Sequence, residues 1–481
     1  LDGLAAQIDR PTIEASLSVN GVEVVTRKGQ VGRFLDIPAT TSLIQAQTQT
    51  LLDGEIPLVV IETPPEIMDV SEQAEIAEQI LSAPLILRVP GADDDTPGPW
   101  FFEPEDLAEM LTIERVSTDE GDRYQVGLST DGLRDLLNEV APSLARQKRN
   151  ARFTFNDDTG ELDLIQPAVT GQYLDVEATI LSINQKLFEG EHKIALDMEY
   201  LQPEVTDDAT AESLGISEPV SVHTSYFYGS STERIQNIAI ASSRFHGILV
   251  APGKTFSMGD VLGDVSLDTG YAEAWIIFGD RTIKGVGGGV CQVSTTLFRT
   301  AFFGGFPIQE RHPHAYRVYY YEQTPSGGVD TDLAGLDATV YLPLVDFKFT
   351  NDTPYWLLME TYVNEAGRSL TWKFYSTSDG RTVDWDTTGI TNKQDPPEPL
   401  YQENSDLAKG EIKQVDWAIE GADVTVTRYV WRDGEIIDED LFATHYMPWR
   451  AVCEYGPGTK GMPPENPDPD NPCKPDSKKK D

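Results

Sequence analysis

Apolar positions along this chain follow two rhythms, and the first half repeats them. "LDGLAAQIDRPTIEASLSVNG" (1–21) is echoed by "LRDLLNEVAPSLARQKRNARFTFNDDTG" (133–160). Each reads as an amphipathic run, a proline or basic linker, and an alternating strand that ends in a turn. "VGRFLDIPATTSLIQAQTQTLLDGEIPLVV" (31–60) is echoed by "TGQYLDVEATILSINQKLFEGEHKIALDM" (170–198). The shared core is Gly32, Phe34, Leu35, Asp36 in one copy and Gly171, Tyr173, Leu174, Asp175 in the other. Glycine supplies a turn, and the aspartate helps start a helix read from Leu43 or from Ile180. A short strand returns after "DGE" or "EGE". Two helix–hairpin–helix–strand units result, one over 1–69 and one over 70–205. "VPGADDDTPGPWFFEPEDLAEML" between them reads as an exposed acidic loop leading into a capped helix.

After a Thr/Asp-rich link the pattern changes. Thr232 to Phe245 carries Ile235, Ile238 and Ala239 at helical spacing, with small Ser242 on the same face, and "VAPGKTF" turns into a strand. "STTLFRTAFFGG" predicts a helix with Ser294 as N-cap, Leu297, Ala301 and Phe302 as its stripe, and Gly304-Gly305 as its stop. Further on, "GEIKQVDWAIEGADVTVTRYVWRDGEIIDEDLF" alternates strictly around Arg432-Asp433-Gly434, a β-hairpin. Trp417, Trp431 and Trp449 are read as core aromatics first and as a sugar-stacking face second. The expected fold is therefore α+β and multi-domain: two α+β repeats, a mixed β-rich domain over 215–385, and a small all-β hairpin module over 400–457. A tail over 458–481, rich in Pro, Asp, Asn and Lys from Gly461 onward, is expected to be disordered.

Composition narrows the partners. The chain has 481 residues, with 37 Lys+Arg against 79 Asp+Glu, for a net charge of −42. Such a surface opposes nucleic-acid phosphates and anionic lipid alike. No apolar run is long enough to span a membrane. The opening reads as the middle of a longer chain, so any export signal or membrane anchor is expected upstream of Leu1. The 3 cysteines are widely spaced and make neither a disulfide framework nor a zinc site. Cys453 and Cys473 can pair in an oxidising compartment. No cofactor and no metal is expected.

The candidate chemistry lies in "GVGGGVCQVSTTLF". Cys291 follows a glycine cluster whose amides can approach a substrate closely, and it sits just ahead of the predicted helix. The helix dipole there favours a thiolate, and the glycine amides can hold an oxyanion. Downstream, "ERHPHAY" supplies His312 and His314 as candidate bases, and "GLDATV" supplies Asp337 to orient an imidazole. The bland alternative is a small buried cysteine at a tight turn. His246 is a weaker candidate base, and His192, His223 and His445 have no chemical company.

The run "PGKTFSMGDVLG…GYAEA…GVGGGVCQVSTTLF…ERHPHAYRVYY…DATVYLPLVDFKFTNDTPYWL" resembles the VanW domain family over roughly 220–375. The two N-terminal copies are similar to peptidoglycan-binding repeats that precede such domains, the first truncated at its start. Gly410, Gln414, Gly421, Asp433-Gly434-Glu435, Pro448 and Gly456 resemble a G5-type module. The VanW resemblance implies an extracytoplasmic, cell-envelope protein that acts on peptidoglycan stem peptides and glycan as a cysteine-dependent L,D-transpeptidase. It implies Cys291 as nucleophile, His314 as base with His312 as possible partner, Gly288 and Gly289 as oxyanion donors, and Gln292 and Ser294 shaping the pocket. Ala315 and Leu336 stand where the family has Ser and Arg, and "EQTPSGGVDTDLAG" lengthens the connection to Asp337. A non-catalytic wall-binding scaffold and a cysteine peptidase or amidase are the alternatives.

Overall fold

The computed structural model describes residues 1–475 except 95, 120, 279, 280, 466, 469 and 470. It divides into two compact units, Leu1–Arg149 with Val169–Pro203, and Asn150–Ala168 with Glu204–Asp481.

In the first unit the repeated sequence becomes repeated structure. Strand Gly32–Leu35 leads into helix Ile37–Gln49 and pairs with Val60–Thr63. Strand Gly171–Leu174 leads into helix Val176–Phe188 and pairs with Met198–Leu201. Both helices start earlier than their apolar spacing suggests. Asp36 caps the Ala39 amide and Asp175 caps the Ala178 amide, each at 2.9 Å, so the helices begin directly after the aspartates. The acidic loop does lead into a capped helix, Pro104–Met110, whose Glu103 and Asp106 form a capping box. Leu133, Leu137, Ile183, Leu187 and Ile194 are fully buried in this unit's main core.

The second unit is built around helix Val290–Phe303. Leu297, Phe298, Ala301 and Phe302 are fully buried, and each large side chain so buried is worth about 1.5–3 kcal/mol. Its other faces are buried too, so their polar groups must find partners. Ser294 and Thr295 reach the Ala338 carbonyl at 2.6 and 3.1 Å, and Thr300 reaches Thr296 O at 2.8 Å. Arg299, buried like the rest, donates to Leu336 O and Tyr321 O at 2.6 Å and to Leu333 O at 3.3 Å. Around the helix lies an antiparallel sheet ordered Glu218–Tyr226, Ser369–Ser376, Leu357–Asn364, Ile248–Val250.

The long hairpin Gly421–Arg432 and Glu435–Tyr446 forms as the alternation predicts. Asp433 and Gly434 both have positive φ, which matches the right-handed twist of the strands. Its inward residues Val424, Val426 and Tyr446 share a core with Leu297 and Phe302. Of the three tryptophans, Trp449 is buried against Tyr316, whereas Trp417 is exposed.

The C-terminal segment differs from the expectation of disorder. Cys453 and Cys473 form a disulfide across 20 residues of sequence, and Asn471–Pro475 is a strand. Tyr401 donates to Pro472 O at 2.8 Å, fixing the returning chain. Residues 476–481 lie outside the described residues.

Candidate active site

The helix that carries Cys291 starts at Val290, not at Ser294. Its N-cap is Gly289, with φ 119°, and the Val290 amide bonds back to Gly287 O at 3.0 Å. Cys291 therefore sits inside the first helical turn, where the dipole acts most strongly. Ser294 is not a cap, because its hydroxyl bonds the Ala338 and Cys291 carbonyls.

The glycines before it are dictated by space. A Cβ at Gly288 would meet Trp275 O at 2.5 Å, and one at Gly289 would meet Arg234 O at 2.8 Å. Buried Asn237 clamps this turn, donating to Gly288 O and Ala272 O at 2.9 Å and accepting from the Ala272 amide at 2.7 Å. Among the described residues the amides of Gly288, Gly289 and Cys291 make no hydrogen bond. Such free amides at a helix head are available to an anion.

Cys291 is partly exposed and outside any disulfide. Its Sγ lies 3.4 Å from Thr339 Oγ1 and 3.8 Å from Val340 O, and His314 is near enough to lower its pKa. His314 is buried, and its Nδ1 lies 2.5 Å from Asp337 Oδ2. The same carboxylate oxygen accepts the His314 backbone amide at 2.7 Å, so the ring and its backbone share one anchor. With Nδ1 held by Asp337, Nε2 is the nitrogen left for the thiol. Tyr321 OH also lies 3.2 Å from Nε2, with its ring tilted over the imidazole.

Asp337 is itself braced. Tyr446 donates to Oδ1, and Arg311 pairs with the same oxygen at 3.3 Å while gripping Asp337 O and Gly335 O. Burial would raise this carboxyl's pKa, but His314, Arg311 and Tyr446 outweigh it and hold it well below the usual carboxylate range. Burial disfavours the His314 imidazolium as well; the hydrogen bonds of Asp337 and Cys291 and the Asp337 charge lift its pKa to about 9. Burial pushes the Cys291 thiol up, yet the bond and charge of His314 bring it down to about 7. Between those values the favoured state is a thiolate–imidazolium pair, a nucleophile with its proton already parked on the neighbouring base.

The other expected residues fall elsewhere. His312 is about half exposed and turns to Glu310 at 3.2 Å, contributing only its carbonyl, which accepts the Thr339 amide at 2.8 Å. Pro313 separates the two histidines, and only the second points inward to Asp337. Gln292 is fully buried, fixed by Arg234 at 2.9 Å and Ser225 at 2.8 Å. His246 accepts the Thr361 amide at 3.1 Å and takes no part in this site.

Residues 233–375 match the family model described as "VanW like protein". They form a VanW-like domain. Residues 1–57 match the model described as "Putative peptidoglycan binding domain". The chain is 31% identical over 163 residues to "Uncharacterized protein YoaR" of Bacillus subtilis (strain 168), covering 34% of this chain and 50% of that one. It is 26% identical over 215 residues to "Vancomycin B-type resistance protein VanW" of Enterococcus faecalis (strain ATCC 700802 / V583), covering 44% and 68%. The chain thus spans half the length of the first relative. Among solved structures, the IgA1 protease G5 domain aligns at 19% identity over 16% of this chain and 90% of that chain, with TM-score 0.10. The Ldtfm–avibactam carbamoyl enzyme aligns at 8% identity over 39% and 71%, with TM-score 0.19. At these scores neither likeness carries weight.

Several site residues had no signal in the sequence. Asn237 and Arg234 lie on helix Thr232–Ser243, where the apolar spacing singled out neither. Tyr446 comes from the C-terminal hairpin, well outside residues 233–375.

Proposed function

We propose that this protein is a cell-envelope acyltransferase that acts on peptidoglycan stem peptides, with L,D-transpeptidation as its reaction. The arrangement of Cys291, His314 and Asp337 beneath three free amides carries this reading. The Cys291 thiolate attacks the carbonyl carbon of an L-centre in a tetrapeptide stem. The carbonyl oxygen takes up the negative charge, facing the amides of Gly288, Gly289 and Cys291. Collapse breaks the peptide bond, and the leaving D-alanine amine takes the proton from His314 Nε2. A thioester remains on Cys291. A side-chain amine of a second stem attacks it, passes its proton to His314, and releases the thiolate.

Three further observations favour a wall setting. The 1–57 match has a peptidoglycan-binding description. One matched relative is named for vancomycin resistance. The Cys453–Cys473 disulfide suits an oxidising, extracytoplasmic compartment. Among the described residues no helix is long and apolar enough to cross a membrane.

The test is intact mass spectrometry of wild type and Cys291→Ala after incubation with a carbapenem and, separately, with tetrapeptide muropeptides. An adduct on wild type alone, together with cross-linked dimers, is expected. Loss of D-alanine without dimers would assign a hydrolase. No adduct and no turnover, with Cys291 inert to a small alkylating agent, would leave a wall-binding scaffold.

A further inference from the structure

We propose that the first repeat holds a carboxylate-binding subsite formed by Arg10 and Arg33 beside Phe34; this rests on the peptidoglycan reading above. An open surface depression of about 330 Å³ lies among these residues, Asp9, Thr12 and Thr63.

Its geometry comes from a backbone bridge. Arg10 and Arg33 are antiparallel Cα partners, so their side chains leave on the same face. Arg33 is tethered by its Nε to Ile8 O at 2.8 Å, which leaves its outer nitrogens to the depression. Among the described residues Arg10 has no side-chain partner. Asp9, on this rim, accepts the Leu35 amide at 2.8 Å, and Glu62 stands opposite Arg33 in the pair with Val60–Thr63; among the described residues neither forms an ion pair with Arg10 or Arg33. Gly32 permits the closeness, because a Cβ there would meet Thr12 Oγ1 at 2.2 Å and Thr63 Oγ1 at 2.7 Å. In a chain of net charge −42, two neighbouring arginines that form no ion pair among the described residues are a local concentration of positive charge.

The second repeat acts as an internal control. Its equivalent bridge joins Arg146 to Gln172, so the scaffold closes with a neutral residue where the first copy has Arg33. Gly171 keeps the close approach there, facing Lys148 and Leu201 in place of Thr12 and Thr63. The bridge therefore closes without a second arginine; the strand partner changes with it, from Glu62 opposite Arg33 to Tyr200 opposite Gln172.

Two guanidiniums on one face grip a carboxylate by parallel N–H donors. Phe34, 44% exposed, is the next residue along the same strand and borders the depression. The fitting ligand is a carboxylate attached to a small apolar or ring group. In peptidoglycan that chemistry comes from the lactyl carboxylate of N-acetylmuramic acid or from the C-terminal carboxylate of a stem peptide.

The experiment uses the full chain carrying Cys291→Ala, so that no probe is turned over. Calorimetry with N-acetylmuramic acid, with a tetrapeptide stem, and with N-acetylglucosamine separates the sources. One carboxylate probe is expected to bind about tenfold or more tighter than N-acetylglucosamine, and Arg10→Gln to weaken it about tenfold. Rising salt should weaken it as well. Arg10 is exposed, so its replacement leaves folding intact; Phe34→Leu tests the apolar wall separately. Equal binding of N-acetylglucosamine, an unaffected Arg10→Gln, or no binding of any probe would overturn the site. Failure here with the Cys291 adduct intact on wild type leaves the transferase reading standing, and the converse result leaves this site standing.

Discussion

Replacing Asp337 with Asn is the sharpest perturbation of the active site. It keeps the side chain's size and one oxygen for His314, but removes the charge that sustains the imidazolium. In the wild type the His314 and Cys291 values of about 9 and about 7 favour the ion pair. The gap between them is worth about 3 kcal/mol. Without the carboxylate, burial works unopposed against the charged imidazole, and the thiol loses its counter-charge. The Cys291 midpoint should return to 9.0 or above, the ordinary thiol value. At pH 7 the thiolate fraction then falls from about one half to about one hundredth, partly offset by the stronger nucleophilicity of a more basic thiolate, for a net slowing of about five- to tenfold. The assay is the rate of iodoacetamide alkylation across about pH 5.5–10, read by intact mass. Thermal melting checks that Arg311 and Tyr446 still hold the loop, and His314→Gln provides a second route to the same midpoint. A wild-type midpoint near 9, or an Asp337→Asn midpoint still near 7, would refute the ion-pair reasoning.

In the ion pair Nε2 carries the proton, so the Tyr321 oxygen accepts from it; Tyr321→Phe removes that acceptor and should raise the thiol midpoint by about half a unit in the same titration, and a fall would reverse that assignment. Gly288→Ala drives a Cβ against Trp275 O and should cost about 1–3 kcal/mol in melting experiments while slowing adduct formation, because the amides above Cys291 move. Reducing Cys453–Cys473 opens a closed loop worth about 3 kcal/mol; residues 456–475 should become protease-sensitive while Cys291 alkylation is unchanged.

Local rules reached as far as local causes extend. The caps at Asp36 and Asp175, the Asp433-Gly434 turn and the repeat all arise from neighbours in sequence. Cys291, His314 and Asp337 were legible because their motifs are short and chemically loaded. The helix start departs from its sequence signal because Ser294 looks like a cap by type, yet its hydroxyl serves the Ala338 carbonyl across the core, and a left-handed glycine performs the capping. His312 and His314 are equal in composition; direction separates them, and direction depends on a loop that no spacing encodes. Tyr446 and Asn237 were invisible because their partners lie far away in sequence, at Asp337 and Gly288.

Arg299 takes backbone, not side chains, as its partners. It sits two turns below Cys291 on the same helix and, among the described residues, grips only carbonyl oxygens, those of Leu336, Tyr321 and Leu333. Burial lowers its pKa to about 10, so it stays cationic at neutral pH. Every residue type offers a carbonyl, so the grip is blind to the identity of the side chains it secures. The loops bearing Asp337 and Tyr321 can thus change side chains while their backbones stay pinned to the helix that carries the thiol. One cation turns two loops into fixed parts of the same frame, and leaves evolution room to retune what they present to a substrate.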